Sequence, residues 1–113
     1  MPVIFLKSKN LNLDLSELKG LKIPENKKGV ITDLQFSFTK GNFDLLIDDI
    51  PLLTEITSTT NGYGRTRINE NQQLIIKPKE KIKKLNVFVT GVLADNFEKE
   101  SDIEQFIESL EYD

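Results

Sequence analysis

The sequence predicts a mainly β protein: an antiparallel β-sandwich or small barrel of about 7–8 strands with one C-terminal amphipathic α-helix. Three observations carry this expectation. Leu34, Phe36 and Phe38 alternate with Gln35, Ser37 and Thr39, and the alternation resumes as Phe43, Leu45 and Ile47. Such two-residue periodicity marks strands with one buried and one wet face. Turn-forming residues recur at the roughly 8–12-residue spacing of all-β folds. Only past residue 100 does the apolar period lengthen to that of a helix, through Ile103, Phe106, Ile107 and Leu110.

In chain order, Pro2 to Leu6 reads as a short apolar strand. Leu11, Leu13 and Leu15 alternate with Asn12 and Asp14, which predicts a second strand to about residue 15. Asp14, Glu17 and Gly20 also fit one helical turn, as cap, third-position acid and glycine stop. Pro24 to Gly29 is a polar loop.

Lys40-Gly41-Asn42 then predicts a tight hairpin. A two-residue loop at Gly41-Asn42 pairs Phe38 with Leu45 and Phe36 with Ile47. A four-residue loop pairs Phe38 with Phe43, Phe36 with Leu45 and Leu34 with Ile47. A three-residue loop is disfavoured, because a one-residue slip turns every side chain to the wrong face.

Pro51 breaks the chain after Asp48-Asp49-Ile50, and Leu53 to Thr59 reads as a strand. Asn61-Gly62-Tyr63-Gly64 turns it, and Arg65 to Ile68 returns. An odd loop, of about three or five residues, puts Ile56 and Ile68 on one face. Asn69 to Gln72 is a turn. Leu74-Ile75-Ile76 is apolar on both faces, and Pro78 ends it. Lys83 to Leu93 is a long strand with Leu85, Val87 and Val89 on one face. Phe88 faces the other way and needs its own cover. Ser101 and Glu104 form a capping box that opens a helix over about 101–111.

The 113 residues make a single domain, 1–113. Without Cys, neither disulfides nor thiolate metal sites are open to it. Without His, it lacks the commonest general base and transition-metal ligand. No catalytic residue, cofactor or metal is expected. Asp44, Asp48 and Asp49 offer oxygen ligands, but they lack calcium-loop spacing and read as solvated face residues. No stretch approaches the roughly 20 apolar residues that span a bilayer, so no membrane contact is expected. The start shows no secretory signal, so the expected location is cytoplasmic, or inside a virion or secreted particle.

Charge is unevenly spread. Residues 93–113 hold eight acids against Lys99, a net of −7. Residues 65–84 hold seven bases against Glu70 and Glu80, a net of +5. This split predicts contact between the two segments, within or between chains. Lys77, Lys79, Lys81, Lys83 and Lys84 lack the interleaved aromatics of a nucleic-acid surface. They read instead as an edge strand defended by Lys and Pro78.

The expected partner is therefore protein, through self-association or a larger assembly, with no small-molecule substrate. The candidate contact residues are Phe88, the helix stripe Ile103, Phe106, Ile107 and Leu110, and the loop residues Tyr63, Arg65 and Arg67. The helix stripe packs either on its own sandwich or into a neighbour. The Tyr63 loop is either a contact loop or an ordinary hairpin tip. The leading expectation is a non-enzymatic assembly subunit, such as a phage or contractile-injection component, by analogy of fold class alone. An alternative is an inhibitor or adaptor whose acidic helix occupies a basic groove. A carbohydrate module is weaker, because the chain has no Trp and only Tyr63 and Tyr112.

Overall fold

The structure, a computed structural model, describes residues 1–59 and 65–111. The elements are β1 (Val3–Leu13), β2 (Leu18–Lys22), β3 (Lys27–Ser37), β4 (Phe43–Ile47), β5 (Ile50–Ile56), β6 (Thr66–Ile68), β7 (Gln73–Pro78), β8 (Ile82–Asp95) and α1 (Glu100–Glu111). The first sheet runs β1-β8-β3-β6 and the second β2-β7-β4-β5. Every pairing is antiparallel. The two sheets enclose one core, and α1 adds a third layer over the outside of the first sheet.

Among the described elements only β4 and β5 are consecutive strands within one sheet; every other consecutive pair lies in opposite sheets. This overturns the expected hairpin at Gly41. β3 and β4 are not paired, so none of the Phe38–Leu45, Phe36–Ile47 or Phe38–Phe43 ladders forms. The chain instead arches across the core. Phe36 and Phe43 meet edge to face at 5.1 Å, and Phe38 lies 5.4 Å from Phe43. Alternation in both strands fits an arch as well as a hairpin, because each strand needs only one buried face. Such ring pairs contribute about 0.5–1.5 kcal/mol beyond their buried area. Gly41 is required there: a Cβ would sit 2.6 Å from Ile82.

The same exchange of sheets separates β5 from β6, so Ile56 and Ile68 are not cross-strand neighbours. The intervening Tyr63 loop lies outside the described residues. The hairpin that does form turns at Asp48-Asp49, with Ile47 opposite Ile50. Asp48 takes a φ of 53°, the left-handed conformation that primed turns demand and that Asp tolerates better than most residues. Pro51 does not break the strand. It sits within β5, an edge strand, where a missing N–H costs little.

The N-terminal expectation also changes. β1 is one eleven-residue strand, not two short ones, and residues 18–22 form β2 where a helical turn was an option. Lys27 to Gly29 belong to β3, so the polar loop ends at Asn26. In β3 the register slips between Ile31 and Asp33, which leaves Thr32 as an extra residue. This bulge turns both Ile31 and Leu34 inward, and both are fully buried.

Candidate functional site

β8 supplies the frame for both sides of the first sheet. Its register with β1 is unbroken from Leu93 opposite Val3 to Leu85 opposite Leu11. Leu85, Val87, Val89 and Leu93 therefore join the core, while Phe88, Thr90, Val92 and Ala94 share the outer face.

The outer face is covered at one end. Ile103 and Ile107 of α1 are buried against Val30, Val92 and Ala94, with Phe106 and Leu110 half-buried beside them. The alternative of a stripe free for a neighbouring chain is corrected for Ile103 and Ile107: they are spent on the chain's own sheet. Each such burial stabilises by about 1.5–3 kcal/mol. Phe88 is half-buried between Ser8 of β1 and Gln35 of β3, beyond the helix.

Charge fixes the start of α1. Arg65 pairs with Glu104, and Arg67 pairs with Glu100. Lys28, only 7% exposed, donates to the Glu98 carbonyl at 2.6 Å and to Glu100 at 3.3 Å. The Arg67 hydrogen bond, reinforced by Lys28, holds the Glu100 carboxyl down at about 2. The Lys27 hydrogen bond likewise lowers the Asp95 carboxyl. The predicted capping box is replaced. Helix bonds begin from the Lys99 carbonyl, Ser101 lies inside the first turn, and Glu104 turns to Arg65. Arg65 and Arg67 thus meet the acidic tail within one chain. Glu100 and Glu104 of the acidic helix are thus paired within the chain.

The aspartates have structural employment. Asp44 accepts from the bulged Glu55 amide at 2.8 Å and faces Lys79 at 3.6 Å. Asp48 accepts from the Gln73 amide at 3.1 Å. Among the described residues no group of three or more acids, His or Cys is placed to hold a metal ion. The lysine run does not defend an edge: β7 and β8 are both interior strands. Among the described residues no helix is long and apolar enough to cross a membrane.

One exposed apolar strip lies where the sequence offered no candidate. β1 is an edge strand, and on its outer side Ile4 and Leu6 remain 54% and 56% exposed. They sit opposite Val92 and Thr90. On its inner side Lys7 and Lys9 sit opposite Val89 and Val87. Two lysines therefore occupy core-phase positions, between Phe5 and Leu11. That phase was the available signal: Val3, Phe5, Lys7, Lys9 and Leu11 are spaced by two. β2 is the facing edge of the second sheet. Between the two edges the core opens as a cleft of about 590 Å³. No protein-family model matches the sequence, and no curated protein matches it.

Proposed function

We propose that the protein is a non-enzymatic interaction subunit that joins other protein, its own copies included, through β1. The observation that supports this is the exposed apolar pair Ile4 and Leu6 on an eleven-residue edge strand with an unpaired backbone edge. Such an edge accepts a further strand, whose main chain supplies affinity and whose alternate side chains supply selectivity. The outer strip continues inward to the half-buried Phe88, so a partner strand would find apolar surface beside hydrogen-bonding groups. The chain also lacks His and Cys, which removes most nucleophile and metal chemistry.

Light scattering across protein and salt concentration tests the reading. The wild-type chain is expected to form a discrete larger species, and Ile4→Glu with Leu6→Glu to remain a monomer with an unchanged thermal midpoint. A wild-type monomer under all conditions, with nothing held through β1 in the native source, would overturn it.

A further inference from the structure

The cleft between β1 and β2 combines two features seldom found together. Its floor is core: Leu34, Phe36, Leu45, Leu74, Ile76 and Val89. Its exposed β1 rim carries Lys7 and Lys9 in core phase, and among the described residues no carboxylate lines it. Neither lysine is in an ion pair among the described residues, as is true also of Lys40, Lys77, Lys81, Lys83, Lys84 and Lys99, so what sets Lys7 and Lys9 apart is their core-phase position. Lys7 and Lys9 of β1 thus sit in core phase at an apolar gap, whereas Lys19 and Lys22 share the outer face of the second sheet with Ile75 and Gln73.

A bland account covers part of this. Inward-pointing lysines discourage sheet-to-sheet pairing at an edge, and their aliphatic stems cover apolar surface. That account leaves the space unexplained. Protein interiors pack densely, with few voids larger than a water molecule. A volume of about 590 Å³ falls instead in the range of small-molecule sites.

We propose that the cleft binds a single-chain amphiphile with an anionic head, of the long-chain carboxylate class. The alkyl chain lies between the sheets, and the carboxylate rests among the rim lysines. Lysine suits this role as a mobile point charge that does not require the planar fork geometry of Arg. The inference uses the inner face of β1 and stands apart from association through its outer face.

Isothermal titration with decanoate, dodecanoate and dodecyltrimethylammonium, all below micelle formation, tests it. One dodecanoate is expected per chain, with affinity rising about fourfold for each added methylene. Lys7→Glu with Lys9→Glu is expected to lose dodecanoate at least tenfold and to gain the cationic amphiphile. Leu18→Trp, which fills the cleft from β2, is expected to abolish both while the thermal midpoint holds. A flat chain-length dependence would overturn the proposal, because the lysines would then be acting alone. Equal binding by the charge-reversed variant would overturn it too. Failure of dodecanoate alongside binding of an alternating Leu-Glu peptide would transfer the cleft to an added protein strand. Retention only by anionic vesicles would transfer it to a membrane surface. Light scattering of the Ile4→Glu, Leu6→Glu protein is independent of every one of these outcomes.

Discussion

The first sheet is finished in two different ways. Toward β3 and β6, a helix covers the apolar residues, and Lys28, Arg65 and Arg67 all meet acids. Toward β1, Ile4 and Leu6 stay exposed, and among the described residues Lys7 and Lys9 meet no acid. On the first flank the basic side chains that meet the helix are paired and its apolar stripe is covered; on the second, Ile4 and Leu6 stay exposed. Groups whose partners lie inside the chain stabilise the fold; groups whose partners do not are available for binding. This difference is what supports the proposed contact through β1.

Mutations that compare the flanks should separate them. Ile107→Ala, on the closed flank, is expected to cost about 2–5 kcal/mol in urea unfolding, through lost burial and the cavity left behind. Leu6→Ala, on the open flank, should stay within about 0.5 kcal/mol. Equal costs would mean that β1 is covered in the free protein.

Gly91→Ala probes the seam between the flanks. A Cβ there would lie 2.4 Å from the Phe5 ring and 2.5 Å from the Val30 carbonyl. The expected loss is about 1–3 kcal/mol, with β1 released first. Hydrogen exchange should show faster amides in β1 than in β3; uniform loss would contradict a loosely held β1.

Acid sharpens the same contrast. The Glu100 carboxyl is lowered to about 2, so its contribution is present above its ordinary value of 4.5 and fades as pH falls toward 2. Over half of this side chain is exposed, so solvent screens the pair, and the loss should be under about 1 kcal/mol. Melting followed by circular dichroism from pH 6 to pH 2.5 should show a steeper decline in the wild type than in Glu100→Gln. Parallel curves would remove the Arg67–Glu100 pair from the stability of the closed flank. The smallest effect is expected from Lys7→Gln with Lys9→Gln, within about 0.5 kcal/mol, since neither lysine has a partner to lose among the described residues.

Much of the architecture was legible because strand period and strand class are local properties. The alternation at 34–38 and 43–47 locates both strands and their buried faces, and the stripe from Ile103 to Leu110 locates the helix. Pairing was not legible. A buried face does not say which sheet it belongs to, so an arch at Gly41 reads like a hairpin until Ile82 is seen against the glycine. The bulge at Thr32 hides Ile31 from a strict two-residue count. The open flank was obscured by Lys7 and Lys9. They divide β1 into two apparent strands, because a charge in core phase reads as a strand end. Lys28 misleads in the same manner: a lysine in a polar stretch reads as loop, yet its ammonium anchors the start of a helix seventy residues later.

The pairing of Val3 with Leu93 has a consequence for biosynthesis. β1 leaves the ribosome ninety residues before Leu93 of its mate β8. At typical elongation rates of 5–20 residues per second, that delay is roughly 4–18 seconds. Throughout it the run Val-Ile-Phe-Leu is nascent chain without a mate, open to the wrong neighbour. Lys7 and Lys9 follow that run directly, as gatekeepers that make premature cross-chain stacking repulsive. Residues that leave the finished fold unsatisfied would thereby protect its birth.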